Sequence, residues 1–542
     1  MTRWFCLALL VFGGLASAQE PVKIDLREIW DHRTAPLKSI HANLPAAERL
    51  YDTIKLQVIV DAAGNVESAQ AVNGPSEFFT QAEAIEYKRK FKPFEKNGEP
   101  IRASLEDYVS IVPPEQWAET SVPFPEIKDW NSLRIHLKRT SCYGSCPDYA
   151  VEVSGNGDVD FNGVNNVFIT GHHRGQISSE AVRELVETFR RTHYFSLKDL
   201  YLALITDNPT YTTSIEFDGI KKSVTDYVGL QVGMPEVVTE LEDAIDRIAG
   251  AAKWIKGNEQ TGPALVREKW DFHGDNEENR ALFAQVIASG SEDLIQLFLK
   301  NGAPVLSMTK DGEGPLISAA GKGDFELTKH MLSNESTPSA ALLSCTLGAA
   351  ARSGNLELVQ FLILKGADPN GPPCGRYGKV SVLMQATASG KPEIVEAILK
   401  YHPALEESLG QFTPLTYFLE RAPTNVDTQK ILSLLVTAGA DVNKPEHDGA
   451  TPLDYACTNQ HPEAVRALIA AGADVNAKGR YGQTVLMSCF DKACLKILID
   501  SGADLNIRNR DGHTAAEQAR QMGALDKAEL LETAMKQRGD KQ

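Results

Sequence analysis

Long apolar runs are scarce in this chain of 542 residues. Residues 4–15 form the most continuous one, and it falls short of the ~20 residues that cross a bilayer. No later segment is apolar enough to span a membrane. Positive charge is also short: 55 Lys and Arg stand against 72 Asp and Glu, a formal net charge of −17. A phosphate polyanion is bound by clustered cations that displace its counterions, so nucleic acid is excluded as the expected partner. An anionic membrane surface is disfavoured for the same reason. Catalytic signatures are missing too. There is no G-x-S-x-G elbow, no H-E-x-x-H, no P-loop and no G-x-G-x-x-G opening a helix. Neither an enzymatic activity nor a cofactor is therefore expected, with the middle of the chain left open. Cysteine is sparse, with eight residues in all.

What is present is ordinary globular usage, 42% hydrophobic and 23% charged residues, enough for packed cores and for three or four domains at this length. Arg3, the apolar residues 4–15 and the small residues Ala16, Ser17 and Ala18 follow the layout of a cleaved secretory signal over residues 1–18. The expected location is the periplasm of a Gram-negative cell, or alternatively the medium, with no membrane span after cleavage. Cys6 leaves with the signal, and the remaining cysteines are odd in number. An oxidising compartment permits disulfides, and the odd count leaves at least one thiol free or paired between molecules.

Two Pro-marked polar stretches, residues 112–130 and 256–279, are expected to act as joints. Before the first, over residues 47–115, the alternating "IKLQVIVD" and "VESAQAV" predict two strands, residues 78–90 a helix and "SLEDYVSIV" a last strand. Ala82, Ala84, Phe91, Pro93, Asn97, Gly98 and Pro100 are placed as in the C-terminal domain of TonB-type energy transducers, which this region resembles. The resemblance implies an α+β binding module, and one alternative function is docking on an outer-membrane receptor.

The middle part, residues 131–256, carries "RTSCYGSCPDY" between two predicted strands. Two hairpins are expected, turning at residues 155–157 and 218–219, with helices over residues 178–195 and 235–255. Arg139, Thr140, Cys142, Tyr143, Gly144, Cys146, Pro147 and Tyr149 resemble the signature of an uncharacterised domain family of exported bacterial proteins. For Cys142 and Cys146 the favoured expectation is a short disulfide bracketing the Gly144 turn. A metal or redox site completed by His172, His173 or His193 is the alternative, with the repeats recruiting a client. It lacks the helix N-terminus that lowers thiol pKa values and the second cysteine pair that zinc requires. "DVDFNG" begins like a calcium loop, but its twelfth position is Ile169, and its alternation favours a strand. "GHHRG" is expected to be a polar turn.

Residues 276–542 repeat. "GADPN", "GADVN", "GADVN" and "GADLN" recur, and Gly439 and Gly472 are 33 positions apart. About eight units are expected. Their phased pattern resembles ankyrin repeats, which implies stacked helix pairs and a protein partner of unknown identity. The fold class is thus multidomain, two small α+β domains followed by an all-α ankyrin-repeat solenoid. Partner-binding candidates are the finger tips: Arg376 and Tyr377; Lys444, His447 and Asp448; Lys478, Arg480 and Tyr481; Arg508, Asn509 and Arg510. Cys457, Cys489 and Cys494 fall where small residues pack in the helices and are expected to be core. Pairing of Cys345 with Cys374 is left open.

Overall fold

The computed structural model describes residues 21–24, 39–42, 53–96, 99–333, 337–372, 374, 380–407, 409, 411–421, 423, 426–479 and 482–539. The expected signal over 1–18 lies outside the described residues, as do Asn97, Gly98 and the tip residues Arg376, Tyr377, Arg480 and Tyr481. The chain divides into two compact units, residues 1–268 and 269–542. The first combines sheets with helices and the second is helical, the multidomain class expected.

In chain order the first unit opens with β1 (Val22–Lys23), β2 (Ile40–His41), β3 (Thr53–Val60), β4 (Val66–Asn73), helix α1 (Phe79–Glu86), the hairpin β5 (Phe94–Lys96) and β6 (Glu99–Ile101), and β7 (Ala103–Val112). The sheet runs β1-β7-β3-β4, and β2 also pairs with β7. Period-two alternation makes these strands: β3 buries Ile54, Leu56, Val58 and Val60, and β7 buries Leu105, Val109 and Ile111 against them. Asp107 occupies an inward position of the same apolar face and is fully buried. Arg89 Nη1 meets it at 2.8 Å and meets Glu86 at 2.7 Å. The expected helix over 78–90 accordingly stops at Glu86. The chain beyond it turns Arg89 inward, and Lys90 bridges Asn65.

The expected joint at 112–130 carries no long element, yet it is bound to the sheet that follows. Ala118 N donates to Ser196 O at 2.9 Å, Tyr201 Oη donates to Gln116 O at 2.8 Å, and Phe124 stacks on Phe217 at 5.7 Å. Its aromatics make it a strap.

The second sheet has seven strands in the order β11-β10-β9-β8-β13-β14-β12. They are β8 (Arg134–Arg139), β9 (Asp148–Ser154), β10 (Asp158–Asn165), β11 (Gly171–Gln176), β12 (Leu200–Leu202), β13 (Tyr211–Phe217) and β14 (Ile220–Tyr227). Both predicted hairpins are present, and "DVDFNG" lies in β10 with Val159 and Phe161 buried. Helix α2 (Ser179–Arg191), N-capped by Ser178, buries Val182, Leu185, Val186 and Phe189. The helix expected over 235–255 is two, α3 (Glu236–Ala249) and α4 (Ala252–Ile255), because Gly250 caps the first in the left-handed region at φ +64°. The stretch expected as a second joint contains helix α5 (Thr261–Arg267), held by Thr261 Oγ1 donating to Lys253 O at 2.8 Å.

"GHHRG" is strand β11 rather than a turn. His173 is buried there, stacked on Trp254 at 4.6 Å. Its Nδ1 lies 3.0 Å from the Glu268 carboxylate and its Nε2 3.0 Å from Thr170 O. A long-range cover formed by α4 and α5 turns a polar-looking loop into a half-buried strand.

The second unit is built of eight helix pairs among the described residues. They are α6 (Glu277–Ser289) with α7 (Glu292–Lys300), α8 (Pro315–Gly321) with α9 (Phe325–Met331), and α10 (Ala340–Ser353) with α11 (Leu356–Leu364). Next come α12 (Val382–Ala388) with α13 (Pro392–Leu399), and α14 (Pro414–Arg421) with α15 (Thr428–Ala438). The last are α16 (Pro452–Thr458) with α17 (Pro462–Ala470), α18 (Val485–Ser488) with α19 (Lys492–Asp500), and α20 (Ala515–Gln521) with α21 (Leu525–Gly539). One continuous core of Leu, Ile, Val and Ala runs from Ala320 to Ala534. No helix of the described residues is long and apolar enough to cross a membrane.

Each letter of G-A-D-x-N has a task. Gly439, Gly472 and Gly502 take positive φ after the second helix, and Ala440, Ala473 and Ala503 are buried. Asp441 and Asp474 accept from the backbone two residues on, at 2.8 and 2.9 Å. The Asn reaches the next unit: Asn443 Nδ2 donates to Gly472 O at 3.0 Å and its Oδ1 accepts from Asp474 N at 2.7 Å. Asn443→Ala removes both inter-unit bonds and is expected to lower array stability by about 1–2 kcal/mol. Urea unfolding followed by far-UV ellipticity reads this, and an unchanged midpoint would refute it.

Candidate functional site

Two places were singled out by sequence, the R-T-x-C-Y-G-x-C-P-x-Y segment and the finger tips. In the first, Arg139 ends β8 opposite Tyr149 of β9, in register. The chain between them loops out and is closed by a Cys142–Cys146 disulfide with the Cα atoms 5.4 Å apart. Gly144 sits at φ +136° in this loop, where a side chain would strain the backbone. Tyr143 projects into solvent, 90% exposed. Asn166 Nδ2 donates to Cys146 O at 3.1 Å, tying the loop to the β10–β11 connection. His172 pairs instead with Asp160 at 3.2 Å, and His173 is clamped as described, so these imidazoles are committed elsewhere.

Behind the loop lies a cleft of about 820 Å³, lined in part by Arg139, Tyr149, Asp243, Asp246 and Arg247. Tyr149 Oη donates to Asp246 Oδ2 of α3, and the Arg139 guanidinium lies 4.9 Å over the Tyr211 ring. Asp246 Oδ1 and Arg139 Nε are buried without a hydrogen-bond partner among the described residues. Burial raises the Asp246 carboxyl to about 6, against the pull of the Tyr149 hydrogen bond and of Arg139. Glu242 is raised well above the usual range, first by burial and then by Asp226, Asp243 and Asp246. Burial pushes Tyr211 up to about 12, and Tyr149 is raised by burial and by Asp246. The motif thus places a guanidinium and a tyrosine against carboxyls that resist ionisation, a polar wall able to hold hydrogen-bonding groups.

In the array the described tip candidates do not share one role. His447, Lys478 and Arg510 are exposed. Lys444 is half-buried, 3.4 Å from Glu406. Asp448 Oδ1 accepts from Ala450 N at 2.9 Å and Asn509 Oδ1 accepts from His513 N at 2.9 Å, so both shape their own turns. Arg508 donates to Gly512 O at 2.6 Å and to Glu517 at 2.8 Å, which holds the finger to α20. Sequence reasoning missed Glu446, which is buried and accepts from Thr413 N at 2.6 Å and from Thr416 Oγ1 in the preceding unit. Asp454 completes a capping box with Thr451 and accepts from Ser488 Oγ at 2.9 Å. A second disulfide, Cys345–Cys374, joins α10 to the finger that follows α11, with Cα atoms 5.4 Å apart.

Residues 282–372 and 383–479 match the family described as ankyrin repeats (3 copies). The C-terminal half of this chain is an ankyrin-repeat array. Residues 133–249, which supply most of the cleft's lining, match a family described as a domain of unknown function, DUF6438. Among curated proteins the chain is similar to the ankyrin repeat and KH domain-containing protein mask-1 of Caenorhabditis elegans, 27% identical over 209 residues, 37% of this chain and 7% of that protein. It is similar to the transient receptor potential cation channel subfamily A member 1 of Drosophila melanogaster, 26% identical over 237 residues, 41% of this chain and 19% of that one. Protein fem-1 homolog A of Danio rerio is 34% identical over 102 residues, 17% of this chain and 16% of that one. The chain therefore spans under a fifth of the length of each of these relatives. Among solved structures, the human ASB11 ankyrin repeat domain is 24% identical and covers 38% of this chain and 91% of its own, with a TM-score of 0.33. Ankyrin repeats imply protein–protein interaction.

Proposed function

We propose that this is an exported, periplasmic scaffold that binds a protein partner on the C-terminal fingers of its ankyrin array. The observation that carries the proposal is the division of labour within each repeat. The Gly, Ala, Asp and Asn of the repeated motif are consumed by stacking, whereas His447, Lys478 and Arg510 face solvent from successive fingers. Side chains that the fold does not need are available for recognition, and Arg is a residue type that anchors interfaces. Export is supported by the character of residues 1–18 and by two disulfides, which suit an oxidising compartment. The N-terminal sheet, with its TonB-like sequence features, serves in this proposal as a second docking module of the envelope.

A photo-crosslinking residue placed at Lys478 or Arg510 is expected to trap one dominant envelope protein. The double substitution Lys478→Glu, Arg510→Glu should weaken its binding by about 30-fold, the loss of a single interface anchor worth about 2 kcal/mol. Equal recovery by the wild type and the double variant would sink the finger assignment.

A further inference from the structure

The ankyrin core contains a group that repeat packing does not require. Cys457 of α16, Cys489 just beyond α18 and Cys494 of α19 are all buried, and their sulfur atoms lie within 4.8 Å of one another. Cys457 and Cys489 are the closest pair, with sulfurs 2.7 Å apart. The convergence has a local cause. Helix α18 is only four residues long, and Cys489 leaves it with extended backbone, ψ 129°. A full-length first helix would carry this residue round the helix axis. The Asp491 cap at 2.8 Å then starts α19 so that Cys494 faces the same point.

A second observation is independent of the thiols. Lys527 of α21 is buried beside them, 5% exposed. Its ammonium donates to Met487 O at 2.7 Å and lies 4.2 Å over the Phe490 ring. Among the described residues no carboxylate pairs with it. Cys489 and Cys457 are among the side chains that act on it.

We propose that Cys457, Cys489 and Cys494 form a binding site for a soft thiophilic cation, Cu(I), with Lys527 offsetting thiolate charge. Thiolate sulfur selects Cu(I) over hard ions, and three donors suffice, whereas structural zinc closes a tetrahedron with four. A metal–sulfur bond of about 2.3 Å sets three sulfurs around a metal about 4 Å apart. The observed group needs only a small opening of its closest pair to reach that spacing. Binding forms metal–sulfur bonds at the expense of S–H bonds and releases the thiol protons to solvent, with no change of oxidation state. The half-exposed Phe490, in the non-helical link between α18 and α19, marks the way in.

The test uses the full-length chain, purified without oxygen, and Cu(I) presented as its bicinchoninate complex. The wild type is expected to withdraw one equivalent of Cu(I), and so is the Cys142→Ser, Cys146→Ser double variant. Cys489→Ser should lower the affinity by at least about 100-fold, the upper end of what loss of an outer partner alone costs. Should Cys489→Ser fail to fold, alkylation followed by mass measurement on the wild type replaces it. Cu(I) should then protect Cys457, Cys489 and Cys494 together. Retention of copper by the chelator, labelling unaffected by copper, equal affinity in Cys489→Ser, or tighter binding of Zn(II) would each overturn the proposal. So would isolation of a Cys457–Cys489 disulfide that takes up no copper.

Discussion

Arg89→Met is expected to destabilise the N-terminal sheet by about 3–5 kcal/mol. The guanidinium lies between Glu86 and Asp107, whose side chains are fully buried, and contacts them at 2.7 and 2.8 Å. It also donates to Tyr108 O at 3.3 Å. Methionine matches the aliphatic stem but leaves two carboxylates facing each other in the interior. The cost comes from taking the guanidinium away from two buried carboxylates and not from the net worth of the triad. Replacing all three together, Glu86→Leu with Arg89→Met and Asp107→Leu, should therefore restore most of the loss. Such non-additivity distinguishes a charge effect from lost packing. Hydrogen exchange of the β3 and β7 amides reads this sheet alone within the long chain. Equal protection in the wild type and Arg89→Met, or a triple variant weaker than the single one, would contradict the account.

The first unit is expected to gain stability as pH falls from 7.5 towards 4, and Asp246→Asn should abolish most of that gain. Burial raises the folded Asp246 carboxyl to about 6, above its ordinary value of 3.8. The folded state therefore holds the proton more tightly than the unfolded state does. Its contribution is fully present below the unfolded value and is lost as pH rises through the folded one, at most about 3 kcal/mol in all. Roughly half of that change falls between pH 5 and 7.5. Glu242 is shifted in the same direction and adds to the slope. An amide mimics the protonated acid, so Asp246→Asn is expected to stabilise this unit at pH 7.5 by about 2–3 kcal/mol. Fluorescence of Trp254, which is buried beside His173, follows the transition. A variant whose pH slope matches the wild type would remove Asp246 as the cause.

Both predictions concern polar groups in apolar surroundings, and this is where reading the sequence was weakest. "SLEDYVSIV" puts Asp107 on the inward face by simple alternation, but only the fold brings Arg89 to it from 18 positions away. Tyr149 belongs to a recognisable motif, while its partner Asp246 is 97 positions distant. Glu446 reaches the preceding repeat, and nothing near it in sequence signals burial. "GHHRG" has the composition of a turn and becomes a strand because Trp254 and Glu268 arrive from later helices.

The sequence by itself determined the elements whose signal is local. Alternation set the long strands and helical spacing with Ser178 as cap set α2, because these depend on neighbours within a turn or two, and the G-A-D-x-N motif set the repeats by recurring along the chain. Tertiary structure decided which polar side chains became structural and which stayed available. It bound Arg508, Asn509 and Asp448 to their own fingers by hydrogen bonds, left Lys478 and Arg510 exposed, and drew Cys457, Cys489 and Cys494 together beside Lys527. The physical reason is burial. Whether a charge or a thiol is solvated, paired or able to bind depends on distant segments that cover it, and no window of sequence contains them.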